Sequence, residues 1–188
     1  MIKPWKILSS KQTYKDPWLS VRTDHVQLDD GREIEDYHIL EYSDWVTVIG
    51  LTSSGNVVLI REYRHGANAV TIGLPSGRAE ADEHTEDVAK REFLEETGYT
   101  AQEWVKIGQG YANWGTQNNK VHYYIAFNVE KSDQQHLDEN EEIETFEWSW
   151  QKYFEHEDVH PENCLHLAAL YYAERYFAKH PDKRPQSA

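Results

Sequence analysis

The stretch GRAEADEHTEDVAKREFLEETGY, residues 77–99, decides the fold. It holds eight Asp or Glu residues against three Lys or Arg residues. Its second half predicts a helix that begins near Thr85, a good N-cap, and stops at Gly98. Glu86 and Asp87 would lie at the positive end of the helix dipole. Carboxylates four positions apart repel each other by a few tenths of a kcal/mol. The stretch is therefore either a solvated acidic face or a site that awaits a cation.

Three glutamates of this helix share one narrow face. At about 100° per residue, Glu95 and Glu96 lie about 60° and 40° to either side of Glu92. The opposite side carries apolar residues that we expect to be buried, namely Ala89, Phe93 and Leu94. Carboxylate oxygens beside an apolar face suit Mg²⁺ or Mn²⁺. Spacing alone favours a solvated face equally, because glutamate-rich helices are common.

Composition limits the class of protein. The 188 residues suffice for one domain with a small appendage, and the net charge of −14 leaves no basic surface for nucleic acid. No apolar run is long enough for a membrane span, and the N-terminus lacks a signal peptide, so we expect a soluble cytoplasmic protein. The single cysteine, Cys164, excludes an internal disulfide, and its apolar neighbours predict that it is buried.

Strands are predicted on both sides of the acidic helix. The first 45 residues read as strands with a two-residue hairpin turn at Asp30 and Gly31, too few to be stable alone. They must pack on the rest of the chain or on a second copy. The runs WVTVIGLT and NVVLIREY predict a buried hairpin. Further strands are expected at 104–110, 120–129 and IETFEWSW, and an apolar-striped helix closes the chain.

The acidic stretch also fits a longer pattern, G-x5-E-x7-R-E-U-x-E-E-x-G-U, in which U is a bulky apolar residue. It begins at Gly77, has its first glutamate at Glu83, and matches nine specified positions in 23 residues. The stretch therefore resembles the signature of the Nudix hydrolases. The resemblance implies an α+β fold, an α/β/α sandwich around a mixed sheet with an N-terminal antiparallel segment. It also implies water attack on the phosphorus of a nucleoside diphosphate that is linked to another group.

The resemblance assigns roles residue by residue. Glu92, Glu95 and Glu96 would bind Mg²⁺, or Mn²⁺, together with the backbone carbonyl of Ser76. Arg91 would pair with a carboxylate and orient it, so that Arg91 and Glu95 also belong to the catalytic set. Glu83 would be a further ligand or a structural partner. Gly77 and Gly98 would serve the backbone turns at either end.

Outside the signature the chain resembles the ADP-ribose pyrophosphatase and nucleoside-diphosphate-sugar branch of that family. The matching features are REYR, GLPSG, the N-terminal strands and the late acidic loop. In that branch the N-terminal sheet exchanges between subunits, which implies a homodimer. Residues 1–43 would then be a dimerisation segment and 44–188 the hydrolase domain. Arg64 matches a substrate-facing arginine, although a surface salt bridge would also account for it.

The acidic loop KSDQQHLDENEE supplies candidates for a general base. In the branch that the chain resembles, a general base often comes from a loop distant in sequence. Alignment with that branch on the acidic-Asn-acidic core of DENEEIE implies Glu139 as the base, with Glu141 as an extra metal ligand. Glu142 is the alternative base if the register slips by one residue. A solvated, mobile loop is the competing interpretation.

The substrate is only partly predicted. The branch commonly has a proline about fifteen residues after the signature, where this chain has YANWGTQNNK. Trp114 in that segment would either stack on a base or sugar, or pack as a loop anchor. Arg78 is a further candidate for substrate contact. The expected activity is hydrolysis of a nucleoside diphosphate sugar, of ADP-ribose, GDP-sugar or ADP-sugar type, to a nucleoside monophosphate and a sugar phosphate. The alternatives are a dinucleotide or coenzyme substrate, or an inactive ligand sensor. The ten histidines show no zinc spacing and are expected to be solvated.

Overall fold

The structure is a computed structural model that describes residues 2–80, 82–155 and 163–186. The chain divides into two units. One contains the residues up to 44 together with 111–120, and the other contains 45–110 and the residues from 121 onward. No helix in these described ranges is long and apolar enough to cross a membrane.

The first unit is a three-stranded antiparallel sheet, as expected. Its strands, in spatial order, are β1 (Lys6–Lys15), β2 (Ser20–Gln27) and β3 (Glu33–Glu41). All ten residues of β1 are exposed. The second segment of this unit joins β3 through its backbone, since Leu40 N donates to Thr116 O at 2.8 Å.

The predicted two-residue turn between β2 and β3 is wrong. Leu28 N donates to Arg32 O at 2.8 Å, and Gly31 N donates to Leu28 O at 3.0 Å. The loop therefore has three residues, with Gly31 at φ 86°. A tight turn followed by a left-handed glycine is the standard three-residue hairpin, and Asp-Gly fits it as well as it fits a two-residue turn.

The second unit carries the remaining elements. In chain order they are β4 (Trp45–Leu51), β5 (Asn56–Arg64), β6 (Ala69–Gly73), β7 (Ser76–Arg78), α1 (Thr85–Thr97), β8 (Tyr99–Thr100), β9 (Glu103–Tyr111), β10 (Lys120–Phe127), β11 (Glu130–Lys131), β12 (Ile143–Ser149), α2 (Trp150–Glu155) and α3 (Cys164–Phe177), followed by a 3₁₀ turn at Pro181–Lys183. Seven strands form one sheet in the order β12-β5-β4-β10-β9, with β6 paired to β5 and β7 paired to β4. Because β4 and β10 are parallel and β4 and β5 antiparallel, the sheet is mixed.

Two neighbouring tyrosines of β10 show how the helices cover this sheet. The Tyr123 ring stacks on Tyr172 of α3 at 5.1 Å, whereas the Tyr124 hydroxyl bonds the Thr85 hydroxyl of α1 at 2.7 Å. Successive strand residues point to opposite faces, so α1 and α3 lie on opposite faces of the sheet. This confirms the expected α/β/α sandwich. The core on the α1 side includes Val46, Val48, Val58, Val88, Ala89, Phe93 and Ala126.

Helix α1 ends as predicted but begins differently. The N-cap is His84, whose side chain accepts the Glu86 N–H, and Thr85 is the first helical residue. The Thr85 hydroxyl bonds the Tyr124 hydroxyl, which explains why the better capping residue is not the cap. Gly98 adopts φ 73° and donates its N–H to Leu94 O at 2.8 Å, the left-handed termination that a glycine allows.

The prediction that Cys164 is buried is wrong, because the side chain is exposed. Asn163 caps α3 by accepting the Leu165 N–H at 2.9 Å, so Cys164 is the first helical residue. The buried residues of α3 are Ala169, Leu170, Ala173 and Phe177. Cys164 is not on that face, and apolar neighbours in sequence did not indicate which side of the helix it occupies.

Candidate active site

Helix α1 is fixed by its apolar side. Ala89 and Phe93 are fully buried, as expected, and Leu94 is partly buried. The Phe93 ring lies so close to Gly50 of β4 that a Cβ at position 50 would be 2.3 Å from Phe93 Cζ. The Trp104 ring meets Phe93 edge-on at 5.8 Å. This packing sets the rotation of the helix about its axis and thereby the direction of its carboxylates.

Glu96 is a buried carboxylate, with 4% of its surface exposed. Its Oε2 accepts the Ser76 N–H at 2.9 Å, which links the helix to strand β7. Burial raises the pKa of Glu96 well above its usual value, and the negative charges of Glu62, Glu92 and Glu141 raise the pKa further against the effect of that hydrogen bond. Four carboxylates therefore converge on one region of the second unit.

Glu92 lies directly over Gly77 at the start of the signature. A Cβ at position 77 would be 1.9 Å from Glu92 Cδ, so only glycine leaves room for this carboxylate. Burial raises the pKa of Glu92, while Arg91 lowers it, and the charges of Glu95 and Glu141 raise it.

Arg91 binds three carboxylates of the signature. Its guanidinium pairs with Glu83 at 2.9 Å, Glu92 at 2.9 Å and Glu95 at 3.0 Å. It also donates to the carbonyl oxygen of Arg78 at 3.3 Å. The hydrogen bond from Arg91 lowers the pKa of Glu83. The role of Glu83, as a further ligand or as a structural partner, stays a prediction.

Two of these four carboxylates, Glu62 and Glu141, come from elements other than helix α1. Glu62 of β5 is largely buried and pairs with Arg64 at 2.6 Å, and burial raises its pKa. Glu141 lies in the acidic loop, where its carboxylate accepts the Asp138 N–H at 3.1 Å and its own N–H bonds Asp138 O at 3.0 Å. The charge of Glu141 raises the pKa of Glu62, Glu92 and Glu96, so this loop residue reaches the cluster.

The donor set fits a divalent cation in chemistry. Its members present oxygen atoms alone, and like charges that raise one another's pKa are compensated when a cation binds. As the side chains stand, no three Asp, Glu, His or Cys residues of the described chain already surround one point at ligand distance. The reason is that Arg91 holds oxygens of Glu92 and Glu95, while the Ser76 N–H holds Glu96. Binding a metal would require these carboxylates to exchange or share partners.

Comparison with known proteins identifies the arrangement. The family profile described as "NUDIX domain" matches residues 41–171. The chain belongs to the Nudix family. A second profile, "Nucleoside diphosphate sugar hydrolase N-terminal domain", matches residues 5–40. The prediction of a Nudix hydrolase of the ADP-ribose pyrophosphatase and nucleoside-diphosphate-sugar branch is therefore confirmed, and with it the expectation of an enzyme. Nudix hydrolases generally use divalent metal ions, in agreement with the oxygen donors of the cluster.

Several relatives of this Nudix hydrolase are recognisable along most of the chain. An ADP-ribose pyrophosphatase of Bacillus subtilis (strain 168) is 27% identical over 143 residues, 76% of this chain and 77% of the relative. A methanol dehydrogenase activator of Bacillus methanolicus is 25% identical over the same shares of the two chains. A solved structure described as an ADP compounds hydrolase superposes with a TM-score of 0.83 at 17% identity, covering 96% of this chain and 97% of that one. That likeness shows the fold.

Three predicted site residues lie outside the carboxylate cluster in different ways. Arg64 ends β5 and is more than half exposed, although it pairs with Glu62. Arg78 is exposed on β7, and its carbonyl oxygen accepts a hydrogen bond from Arg91.

Trp114 belongs to the first unit and is 87% exposed, so the alternative of a packed loop anchor is wrong. The loop is held by its backbone instead, for example by the Tyr37 hydroxyl, which donates to Gly115 O at 2.7 Å. Contact of Arg64, Arg78 and Trp114 with substrate stays a prediction.

The loop residues Glu139, Glu141 and Glu142 are all exposed. Of the three loop candidates, Glu141 is the one whose charge acts on the pKa values of the cluster. That placement agrees with its predicted role as an extra ligand, and the choice of Glu139 as general base stays a prediction.

Sequence reasoning missed Glu62 and His166. His166 of α3 is largely buried against GLPSG, and burial, aided by the positive charge of Arg64, lowers its pKa to about 4. It is therefore wrong to count every histidine as solvated. A signal existed, since His166 precedes the buried residues Ala169, Leu170, Ala173 and Phe177 at helical spacing. Glu62 gave a weaker signal, as a lone carboxylate at the end of a buried β-strand.

Proposed function

We propose that this Nudix hydrolase catalyses the Mg²⁺-dependent hydrolysis of the diphosphate bond of a nucleoside diphosphate sugar. The expected products are a nucleoside monophosphate and a sugar phosphate. The observation that carries the proposal is the packing of two carboxylates of the signature helix against strand β7: Glu96 accepts the Ser76 N–H at 2.9 Å, and Glu92 lies over Gly77. This negative charge would repel a diphosphate unless a divalent cation were bound between the two.

The substrate class is supported by both parts of the chain. The N-terminal residues match a module of nucleoside diphosphate sugar hydrolases, and two relatives bear the name ADP-ribose pyrophosphatase. We therefore favour ADP-ribose or a related ADP-sugar or GDP-sugar over a dinucleotide or a coenzyme.

The chain offers distinct groups for the metal and for the chemistry. Glu92, Glu96 and the Ser76 carbonyl would hold Mg²⁺, or Mn²⁺ in its place, with Glu95 and Glu141 as additional donors. When bound, such ions screen the phosphate charge and lower the pKa of an attacking water. Arg91 would orient Glu92 and Glu95 through the ion pairs described above.

The remaining groups act on water and on substrate. Glu139 would accept the proton of the attacking water as general base, with Glu142 as the alternative. Arg64 and Arg78 would bind phosphate or sugar oxygens, for which a guanidinium is well suited. Arg64 would have to release or share its contact with Glu62 to do so.

A substrate panel tests the proposal. Purified enzyme with Mg²⁺ should convert ADP-ribose or nucleotide sugars to a nucleoside monophosphate and a sugar phosphate, resolved by anion-exchange chromatography. Inorganic phosphate should appear after alkaline phosphatase is added and not before, because both products are monoesters. Glu96→Gln, assayed alongside, controls for contaminating hydrolases. Faster turnover of dinucleotides or coenzymes than of all sugars would refute the substrate class. Binding of ligand without turnover under any divalent ion would favour the sensor.

A further inference from the structure

The imidazole of His166 packs directly on the segment that leads into strand β7. A Cβ placed on Gly73 would be 2.5 Å from His166 Cε1 and 2.7 Å from His166 Nδ1. Such distances are far inside van der Waals contact, so the ring occupies the space that any side chain at position 73 would need. The absence of a side chain at Gly73 of β6 therefore makes room for the His166 ring of α3.

The ring also makes polar contacts at both nitrogens. Leu74 N–H lies 3.4 Å from His166 Nδ1, and the Ser76 hydroxyl lies 3.3 Å from His166 Nε2. A nitrogen that accepts a backbone N–H carries no proton, so Nδ1 is the acceptor and the proton resides on Nε2. Nε2–H then donates to Ser76 Oγ, which in turn donates to Leu74 O at 2.9 Å. The neutral tautomer with its proton on Nε2 therefore satisfies all three of these hydrogen bonds.

The residue held in this way is the one that holds Glu96. Ser76 N–H donates to Glu96 Oε2 at 2.9 Å, and Glu96 is the most buried carboxylate of the cluster. A shift of the backbone between Leu74 and Ser76 would move the N–H and the carbonyl group of Ser76 together. The sequence of contacts runs from α3 through His166 to β7 and on to α1.

We propose that His166 is a positioning residue of the metal centre. Its neutral imidazole fixes the backbone from Leu74 to Ser76 and so limits the movement of two groups that would hold a divalent cation, the Ser76 carbonyl and, through the Ser76 N–H, the Glu96 carboxylate. The proposal rests on the metal site of the proposed function. It assigns no contact with substrate to His166.

An apolar residue at position 166 would fill space beside Gly73 but would make no hydrogen bond to the backbone. Leucine at position 166 removes both ring nitrogens, so Leu74 N–H loses its acceptor and the Ser76 hydroxyl loses its donor. Asparagine places an amide oxygen near the position of Nδ1 and retains the first of these contacts. The two substitutions separate the polar role of the ring from its volume.

The test measures Mn²⁺ binding to the intact protein without substrate, by the electron paramagnetic resonance signal of free Mn²⁺. His166→Leu should weaken Mn²⁺ binding about tenfold, as loss of groups that orient metal ligands does. His166→Asn should recover most of the affinity. Leu167→Ala, at an exposed neighbour on the same helix, should bind Mn²⁺ as the parent does. A purely structural role would lower the metal-free Tm and leave Mn²⁺ affinity unchanged.

A double-mutant cycle adds a second measurement. Gly73→Ala should displace the ring and weaken Mn²⁺ binding to a similar extent as His166→Leu. In a His166→Ala background the added methyl group has room, so Gly73→Ala should then change the Mn²⁺ affinity only slightly. If the effects of the two substitutions on Mn²⁺-binding free energy were strictly additive, the packing of the His166 ring on Gly73 would be contradicted.

The outcomes separate this inference from the proposed function. If Glu96→Gln loses Mn²⁺ binding while His166→Leu and Gly73→Ala keep it, the positioning role is wrong and the metal site stands. If Glu96→Gln binds Mn²⁺ like the parent, the metal site itself is wrong. If His166→Leu does not fold, the comparison of His166→Asn and Gly73→Ala with the parent decides the inference.

Discussion

At the scale of single residues, Glu96 shows a conflict between stability and metal binding. Its carboxylate is buried, and burial together with three neighbouring carboxylates raises its pKa. The surroundings of Glu96 in the metal-free protein therefore disfavour the charged form of its carboxyl group. Such a charge is tolerable where a cation compensates it for much of the protein's lifetime.

We expect Glu96→Gln to stabilise the metal-free protein and to abolish its function. The amide oxygen still accepts the Ser76 N–H, while the unfavourable charge is gone, so the metal-free Tm at pH 8 should rise. The increase in Tm that Mg²⁺ produces should disappear, and turnover should fall by more than about a hundredfold. Differential scanning fluorimetry with and without Mg²⁺, together with the hydrolysis assay, checks both effects.

The sign of the pH dependence follows from the raised pKa. A carboxyl whose pKa is higher in the folded state destabilises that state fully at pH values above the folded-state pKa. This cost decreases as the pH falls through the folded-state pKa and is gone below the ordinary pKa. The difference in metal-free Tm between Glu96→Gln and the parent should therefore decrease as the pH is lowered from 8. Glu130→Gln, at an exposed carboxylate of β11, should show no such trend. A metal-free variant less stable than the parent at pH 8 would contradict the argument.

The loop carboxylates can be separated by kinetics. If Glu139 is the general base, Glu139→Gln should lower kcat by about 10²–10⁴ and leave the Mg²⁺ requirement unchanged. Glu141→Gln should instead raise the Mg²⁺ concentration needed for half-maximal rate, because its charge acts on the cluster. We would measure kcat against Mg²⁺ concentration for these variants and for Glu142→Gln. Loss of kcat in Glu142→Gln, with Glu139→Gln active, would move the base to Glu142.

At the scale of elements, the end of α1 joins the helix to the acidic loop. Gly98 has φ 73°, and its carbonyl accepts the N–H groups of Ser132 and Asp133. Gly98→Ala should lower the free energy of unfolding by at least about 1–2 kcal/mol, the cost of a left-handed non-glycine residue. The added Cβ would also stand 2.5 Å from Asp133 O.

Urea denaturation measures this change. Gly66→Ala is the matched control, since a Cβ there meets nothing within 4 Å and no positive φ is required. It should change the free energy of unfolding by less than about 0.5 kcal/mol. Equal effects of the two substitutions would show that the left-handed turn is not what stabilises this junction.

The sequence predicted those elements whose signals are local. The acidic helix, its stop at Gly98 and the hairpin of β4 and β5 follow from spacing, turn residues and β-branched runs. The N-cap at His84 could not be predicted, because Thr85 is diverted by the hydroxyl of Tyr124, 39 residues away. Glu62 and Ser76 meet the helix through tertiary packing, which no local pattern encodes. The position of His166 was encoded in helical spacing and was overlooked.

At the scale of the whole molecule, we propose a homodimer formed through residues Trp5 to Tyr42, with 1–43 as the dimerisation segment. Strand β1 is exposed along its length, and the same segment exposes large apolar side chains, including Trp5, Ile7, Leu8, Tyr14 and Trp18. A three-stranded sheet with this surface gains stability by pairing with a second copy. The alternative is a monomer whose N-terminal sheet remains uncovered.

Sedimentation velocity at micromolar concentration should give twice the 22.1 kDa of one chain. Ile7→Asp, which places a charge on the exposed strand, should shift the equilibrium toward monomer. Lys6→Ala, at the adjacent position of β1, should leave the dimer intact. A parent protein that sediments as a monomer would refute the proposal.

The parallel pairing of β4 with β10 has a consequence for protein synthesis. Leu51 pairs with Phe127, so the central strand β4 cannot pair with β10 until the ribosome has added 76 more residues. At about 5–20 residues per second, this delay amounts to about 4–15 s. During that interval the Val- and Ile-rich edge of β4 in the nascent chain has no partner strand β10, and chaperones or other nascent chains can bind it. Slower translation between the two strands would therefore lengthen the period in which this protein is prone to aggregate.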